Sequence, residues 1–270
     1  MALGIADFDQ VRRVVRERSG IVLAERDAQE IETRLLPVAK ANGSPTPEAF
    51  IARLRTLPAL AAQLVEAVAA HSGGFTVDSP ASDMLSGTIL PALIMRRQSC
   101  RRLRIWCPAC GGGQEPYSLA LLIRERFPEL SSWDVVIHAS DPSAAQIAKA
   151  NAGRYSGVEV LSGLPTPVLL KHFANVGGAW EIKDSARTLV RFNAATLIAD
   201  WPPLEQMDII FIRNVLVYFG LRTKRAVMER VRSALTPDGY LFGGSADARE
   251  LLDERFERMQ DEQSGFYQSV

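Results

Sequence analysis

The sequence lacks any long apolar segment. No run of about 18 apolar residues is present, and the first ten residues, MALGIADFDQ, lack the basic start and apolar stretch of a signal peptide. From these absences we expect no membrane insertion, no secretion and a cytoplasmic location.

An excess of charge of either sign is also missing. The chain has 31 basic and 31 acidic side chains, which argues against a protein that binds nucleic acid or a membrane surface through its overall charge. The local exception is a basic run between two apolar segments. Its members are Arg96, Arg97, Arg101, Arg102 and Arg104. Such a run is typical of a solvated linker and strand edge, and the alternative is a docking patch for an acidic partner.

Cysteine and histidine are scarce, with three of each in 270 residues. A zinc site needs four ligands, and neither the three histidines nor Cys100 show the spacing of such a site, so we predict no metal site. Cys107 and Cys110 have the spacing of a redox pair. They precede a glycine-rich loop in a strand–helix unit of another kind, so we interpret them as free structural thiols.

Residues 7 to 71 have the apolar spacing of helices. Phe8, Val11, Val14 and Val15 recur at helical intervals, and Leu35, Leu36 and Ala39 do so in a second segment. Pro37 is expected to kink or shorten that second helix. A third helix is predicted to begin near Thr46, with Pro47 as its first residue, and a fourth to run from about residue 60 to 70.

The helical pattern ends at Ser72-Gly73-Gly74, and after residue 100 the pattern becomes strand, turn, helix. Three apolar strands are predicted at 103–107, 135–139 and 208–212, followed by a helix over 221–235. Pro237-Asp238-Gly239 then turns the chain into a further strand at 240–242. Alternating strands and helices indicate an α/β domain with a mostly parallel, doubly wound sheet. We therefore predict a helical domain (1–72), a linker (73–84) and an α/β domain (85–270).

The chemistry of the α/β domain is predicted from the ends of its first two strands. Gly111-Gly112-Gly113 follows the first strand and lets the backbone approach a ligand closely. Asp141 ends the second strand, where an acidic residue can accept hydrogen bonds from both hydroxyls of a ribose. Together they favour a cofactor that contains a nucleoside, either NAD or S-adenosylmethionine. The alternative is a turn of glycines and a helix-capping aspartate before Pro142.

Longer segments of the chain resemble the CheR-type chemotaxis receptor methyltransferases. The similar segments are Ser19–Leu23 with Arg34-Leu35, Arg104–Ser118, Ala139–Pro142, Ala150–Ser156, Asp208–Phe219 and Leu235–Phe242. The Glu-Pro-Tyr-Ser and Arg-Asn-Val-x-x-Tyr-Phe sequences within them are specific, and the resemblance spans nearly the whole chain.

The resemblance implies a Rossmann-like S-adenosylmethionine-dependent methyltransferase domain preceded by a small all-helical domain. It implies methyl transfer from S-adenosylmethionine to glutamate side chains, with S-adenosylhomocysteine as the product and a chemoreceptor-like signalling protein as the partner. Glu115 matches the residue that contacts the amino-acid end of the cofactor, Asp141 the ribose-binding acid, and Tyr218 the catalytic tyrosine beside the methyl group. The remaining cofactor-binding residues implied are Gly111, Gly113, Thr196, Leu197, Asn214 and Val215.

The chain departs from the family pattern in the linker. Val77 stands where the family has an active-site arginine, and His71 and Gly73 stand where it has asparagine and threonine. Gln114 and Thr196 replace a glutamate and an asparagine but keep hydrogen-bonding capacity. Two alternatives to an active receptor methyltransferase follow: a degenerate relative that acts as a cofactor- or protein-binding regulatory module, or a methyltransferase with another acceptor. A peptide-docking extension or hairpin near Gly177 to Arg191 is a further hypothesis.

Overall fold

The computed structural model describes residues 3–19, 23, 25–54, 56–57, 59–69, 74–77, 79–198, 205–213, 215–216, 219–243, 256–259 and 265–269. The chain forms two compact units. One consists of residues 1–71 with 217–225, and the other of residues 72–216 with 226–270. None of the helices in the described part of the chain is long and apolar enough to cross a membrane.

The first unit is built from four helices, α1 (Ile5–Ser19), α2 (Ala28–Ala41), α3 (Pro47–Arg53) and α4 (Ala59–Ala69), with a 3-10 turn at Glu25–Asp27 before α2. Helices α1 and α2 each pack against α3 and α4. The fully buried side chains at their centre are Val11, Val15, Leu35, Ala39, Phe50, Ile51, Leu64 and Val68. The predicted helical domain is therefore present, with its apolar stripes facing inward.

The helix signals in this unit are confirmed with two differences. Thr46 caps α3, since its side chain accepts a hydrogen bond from Ala49 N, and Pro47 is the first helical residue. Leu36 is exposed, whereas its neighbour Leu35 is fully buried. Pro37 does not shorten α2, which continues to Ala41. A proline removes one backbone hydrogen bond, and the burial of Leu35 and Ala39 on either side of it offsets that loss.

The second unit is centred on a seven-stranded sheet. Its strands are β1 (Arg102–Pro108), β2 (Asp134–Asp141), β6 (Val190–Ala194), β7 (Met207–Phe211), β8 (Leu235–Phe242), β9 (Phe256–Arg258) and β10 (Phe266–Ser269). The order across the sheet is β6-β2-β1-β7-β8-β10-β9. The first five of these are parallel, and β10 runs antiparallel to both β8 and β9. The predicted doubly wound α/β fold is confirmed.

Helices connect and flank the strands. They are α5 (Pro80–Met84), α6 (Leu90–Arg97), α7 (Gln114–Arg126), α8 (Ala144–Ala152), α9 (Gly157–Leu161), α10 (Thr166–His172), α11 (Asp184–Arg187) and α12 (Leu221–Ala234), with a π-helical turn at Leu85–Ile89 and a 3-10 turn at Pro128–Ser132. Helix α5 begins within the segment 73–84 that we predicted as a linker. The turn expected at 237–239 lies within β8, where it shifts the register between the Met207–Leu235 and Ile209–Tyr240 pairs.

A second, three-stranded antiparallel sheet lies within the same unit. It consists of β3 (Arg154–Tyr155), β4 (Phe173–Val176) and β5 (Ala179–Ile182), in the order β3-β5-β4. Gly177 and Gly178 join β4 to β5 with positive φ angles of 60° and 82°, as a tight two-residue hairpin turn requires. The region near Gly177 thus contains a hairpin, whereas its docking of a peptide stays a prediction.

Two arginines of the basic run form ion pairs with acidic residues at the amino-terminal edge of the sheet. Arg97 Nε donates to Asp208 Oδ1 at 2.8 Å, and its Nη atoms bind the carboxylate of Asp238. Arg104 Nε donates to Glu205 Oε1 at 2.6 Å, and its Nη atoms bind the backbone carbonyl and the carboxylate of Asp134. For these two residues, both interpretations of the basic run, as a solvated edge and as a docking patch, are wrong. They hold strands together and are neither solvated nor open to a partner.

Candidate cofactor site

The strand order places a crevice between β1 and β7. From β1 the chain proceeds to β2 and β6 on one side, and it then returns to β7 on the other side of β1 and continues to β8. Strands β1 and β7 are parallel neighbours, with Ile105 opposite Ile209 and Trp106 opposite Ile210. In open parallel sheets, ligands bind outside the carboxyl ends of the strands, where the strand order reverses. This crevice is therefore the expected ligand site.

The loop after β1 has backbone angles that favour glycine. Ala109, Gly111 and Gly113 all have positive φ angles, of 56°, 53° and 89°, and only glycine adopts such angles without steric cost. A Cβ atom on Gly113 would lie 2.9 Å from Cβ of Ala150 in α8. The glycine loop thus turns tightly from β1 into α7 and allows α8 to pack closely against it.

Asp141 ends β2 with a buried carboxylate that is 8% exposed. Its Oδ2 accepts a hydrogen bond from Gly111 N, and its Oδ1 accepts one from Ser143 N, both at 2.9 Å. The cap of α8 is Ser143, whose hydroxyl accepts from Gln146 N, so the alternative in which Asp141 caps this helix is wrong. The two backbone N–H groups bind one oxygen each and hold the Asp141 carboxylate at the carboxyl end of β2.

Glu115 and Arg213 form an ion pair across the crevice. Glu115 lies in the first turn of α7 after β1, Arg213 lies two residues after the end of β7, and Arg213 Nε is 3.0 Å from Glu115 Oε1. The side chains are only 16% and 25% exposed. The Arg213 guanidinium also lies over the ring of Phe242, with 5.9 Å between Cζ and the ring centroid. The family resemblance predicts Glu115 as a cofactor residue, whereas nothing in the sequence predicts Arg213 as its partner.

Burial determines the ionisation of the groups at this edge. It raises the pKa of Glu115 above its usual 4.5, and the charge of Arg213 offsets part of that rise. Burial also raises the pKa values of the Cys107 and Cys110 thiols. Both cysteines are free and buried, so their thiols are protonated at neutral pH and unreactive. Among the described residues, no group of three or more His, Cys, Asp or Glu side chains is arranged to hold a metal ion.

Two buried tyrosines fix the glycine loop and α8. Tyr155 donates its hydroxyl hydrogen to Gly112 O at 2.8 Å, and Tyr117 donates to Ala150 O at 2.9 Å. Burial raises the pKa of Tyr117 to about 12, which keeps it a neutral donor. Both tyrosines lie within the segments that resemble the family, but the sequence pattern predicts neither role. Their hydrogen bonds to backbone carbonyls could not be read from spacing.

The other predicted residues fall into three groups. Thr196 and Leu197 follow β6, beside the end of β2, where Ala195 N donates to Asp141 O at 3.1 Å. Val215 is buried and follows β7. Asn214, Tyr218, His71 and Gly73 lie outside the described residues. The structure thus brings Gly111 to Asp141 and Glu115 to Arg213. Thr196 and Leu197 directly follow Ala195, whose N–H binds the backbone of Asp141.

The linker residues that are described pack into the second unit. Val77 is 5% exposed and belongs to its apolar core. The Phe75 ring packs edge-on against Tyr155, with 5.1 Å between ring centroids. Thr76 N donates to the hydroxyl of Ser118 in α7 at 2.9 Å. The position that the family resemblance associates with an arginine therefore holds a buried apolar side chain here.

A doubly wound sheet with a glycine loop and an acid at the end of the next strand defines the class of Rossmann-like, nucleoside-cofactor-binding domains. Residues 72–264 match the S-adenosylmethionine-binding domain of the CheR methyltransferases, and residues 6–69 match the all-alpha domain of that family. The chain belongs to the CheR methyltransferase family.

The chain is similar to the following individual proteins. A Pseudomonas putida protein named chemotaxis protein methyltransferase Cher2 is 29% identical over 100% of both chains. Chemotaxis protein methyltransferase 1 of Pseudomonas aeruginosa is 32% identical over 96% of both chains. A solved structure of an S-adenosylmethionine-bound amino pentose methyltransferase from Micromonospora echinaspora is 16% identical, with a TM-score of 0.34 over 61% of this chain and 50% of that one.

Proposed function

We propose that this chain transfers the methyl group of S-adenosylmethionine to a glutamate side chain of a chemoreceptor-like signalling protein and releases S-adenosylhomocysteine. The observation that carries the proposal is the placement of Asp141 and the Glu115–Arg213 pair at the carboxyl ends of three neighbouring strands. Membership of the CheR methyltransferase family and the names of the relatives support it.

The donor set fits the two ends of this cofactor. Asp141 offers acceptors for the ribose hydroxyls, and Glu115 offers a carboxylate for the ammonium group of the methionine end. By family resemblance, Gly111, Gly113, Thr196, Leu197, Asn214 and Val215 complete the cofactor contacts, and Tyr218 lies beside the methyl group.

Methyl transfer to a carboxylate requires little acid–base chemistry from the protein. When bound, S-adenosylmethionine would supply a methyl group on a positively charged sulfur. The acceptor oxygen would displace that sulfur, which would keep the electron pair of the carbon–sulfur bond. The acceptor glutamate is already ionised at neutral pH. The site residues therefore act by holding the reacting groups in line.

The burial of Val77 favours a second candidate, a relative that binds the cofactor with little turnover. An apolar side chain in the core brings no charge to the methyl acceptor or the cofactor. A methyltransferase with another protein acceptor is the third possibility. Nucleic acid is not an expected partner, and a cytoplasmic location and the boundaries 1–72, 73–84 and 85–270 stay predictions.

The first test is calorimetric titration with S-adenosylhomocysteine. We expect binding, and we expect Asp141→Ala to weaken it by about 1–3 kcal/mol, the scale of hydrogen bonds to a charged group. Asp184→Ala is the control for loss of one carboxylate, because Asp184 is exposed at the start of α11. Absence of binding at millimolar ligand would end the cofactor assignment.

The second test is radiolabelled methyl transfer to receptor-containing membranes. Labelled receptor glutamate supports the proposal, and we expect slow labelling because the linker provides no arginine at Val77. Binding of S-adenosylhomocysteine with no labelling of any offered protein would favour the non-catalytic candidate.

A further inference from the structure

Gln114 departs from the family pattern at the start of α7, directly before Glu115. It is only 6% exposed. A Cβ atom on Gly112 would lie 3.1 Å from Gln114 Oε1, so one end of the amide lies against the glycine loop. The other end, Nε2, donates to Glu159 Oε1 at 3.3 Å. The amide of Gln114 therefore connects the glycine loop to α9.

Glu159 supplies the negative charge of this connection. It lies in the first turn of α9, where Ser156 N and Ser156 Oγ both donate to its Oε2 at 2.9 Å. Lys149 Nζ, in α8, is 2.5 Å from its Oε1. Burial acts to raise the pKa of Glu159, but the bonds from Lys149 and Ser156 outweigh burial and hold that pKa below 4.5. Glu159 is therefore charged at neutral pH.

A glutamine at position 114 suits this charge, whereas the family's glutamate would oppose it. An amide has donor hydrogens, and an ionised carboxylate has only acceptors. A glutamate at 114 would bring two carboxylates together at the 3.3 Å that now separates Gln114 Nε2 from Glu159 Oε1, where like charges repel. The chain thus pairs one amide with one carboxylate between α7 and α9.

The backbone of the same turn is held from two further sides. Ser118 Oγ donates to Gln114 O at 2.8 Å within α7. Tyr155, in β3 just before α9, donates to Gly112 O at 2.8 Å. Both of these bonds join neutral groups, whereas the bond from Gln114 to Glu159 has a charged acceptor. A change of charge at either end of that bond therefore acts on a loop whose other contacts remain in place.

We propose that Gln114 is a positioning residue, which holds the glycine loop and the first turn of α7 in their cofactor-binding geometry through its bond to Glu159. The bond requires one neutral and one anionic side chain at these two positions. The inference rests on the cofactor assignment proposed above. Gln114 acts through the loop and not by contact with the reacting atoms, and its replacement of the family's glutamate is an adjustment to Glu159.

The test exchanges the two side chains. Calorimetry measures the affinity for S-adenosylhomocysteine of the unmodified chain, Gln114→Glu, Gln114→Met, Glu159→Gln and the double variant that combines Gln114→Glu with Glu159→Gln. Gln146→Glu is the control for an added charge, because a Cβ atom on Gly112 would also lie 3.3 Å from Gln146 Oε1. Thermal melting of each variant verifies that it is folded.

We expect Gln114→Glu to weaken binding about 10- to 100-fold at neutral pH, and Gln114→Met, which loses the bond without adding charge, about 3- to 10-fold. Glu159→Gln alone should cost less than Gln114→Glu, because two amides can still bond to each other. The double variant and Gln146→Glu should each stay within about threefold of the unmodified chain. If Gln114→Glu does not fold, Gln114→Met and the double variant still decide the question.

The pH dependence separates a role for charge from a merely structural one. The charged and titratable groups that face Glu159 from neighbouring elements are Lys149 in α8 and Tyr155 in β3, and acid leaves both in the form they have at neutral pH. In Gln114→Glu, acidification adds a proton to the pair of carboxylates and turns their repulsion into a hydrogen bond. The ratio of unmodified to variant affinity should therefore fall towards one. For Gln114→Met the ratio should stay constant, and the titration of Glu115 cancels in both ratios.

Several results would overturn the inference. Equal affinity of Gln114→Glu and the unmodified chain would mean that the bond to Glu159 does not position the loop. A loss that the double variant does not reverse, or that Gln146→Glu reproduces, would mean that the added charge acts on the ligand directly. If the unmodified chain does not bind S-adenosylhomocysteine, the cofactor assignment fails and the inference with it, a result that is distinct because it appears before any substitution.

Discussion

Restoring the family's arginine at Val77 should damage this protein instead of improving it. Val77 is 5% exposed and packs in the apolar core of the second unit. Removing the valine side chain from that core costs about 1.5–3 kcal/mol. Placing a guanidinium there adds a desolvation cost of several kcal/mol, part of which is recovered if the long side chain extends towards water.

We therefore expect Val77→Arg to lower the free energy of unfolding by about 3–5 kcal/mol, measured by chemical denaturation. For a unit of this size, that corresponds to a fall of roughly 6–20 °C in Tm. Val77→Leu is the control for size, because it enlarges the side chain without charge and should cost about 1–3 kcal/mol. The affinity for S-adenosylhomocysteine should not rise in either variant.

A clear result would refute this reasoning. If Val77→Arg melts within about 2 °C of the unmodified chain and binds S-adenosylhomocysteine more tightly, position 77 faces the cofactor and the core assignment is wrong. Such a result would also mean that no other residue of the chain fully replaces the linker arginine.

Two further predictions concern the edge of the sheet. Because burial raises the pKa of Glu115 above 4.5, protonation removes its charge as the pH falls through a higher range than for an ordinary glutamate. S-adenosylhomocysteine should therefore bind more weakly on acidification in that higher range, and Glu115→Gln should bind weakly with a flatter calorimetric pH profile; an unchanged profile in that variant would contradict the role of Glu115. Gly113→Ala should lower the free energy of unfolding in urea by about 1–3 kcal/mol, because φ is 89° and the new Cβ would lie 2.9 Å from Cβ of Ala150. Gly112→Ala is its control, since a Cβ there meets only side-chain atoms at 3.1–3.3 Å, and an equal loss in both variants would argue against the backbone explanation.

Local signals predicted much of the fold because they depend on near neighbours in the chain. The strands predicted at 103–107, 135–139 and 208–212 lie within one or two residues of β1, β2 and β7, since continuous apolar runs suit strands that are buried on both faces. The Thr46-Pro47 signal likewise placed the start of α3. Pro37 does not shorten α2, because the packing of Leu35 and Ala39 outweighs one lost backbone hydrogen bond.

The sequence by itself also determined the glycine loop and Asp141 as candidate cofactor residues, because each lies at a strand end, and the family resemblance added Glu115. Tertiary structure alone decided which charges meet. Arg213 follows Glu115 by almost 100 residues, and it reaches that glutamate only because the order of the sheet makes β7 the neighbour of β1. The same holds for Arg97 and Arg104, whose basic run resembled a solvated edge until their acidic partners on distant segments were known. The attraction between two charges depends on their distance in space. The order of residues in the chain does not give that distance until the order of the strands is known.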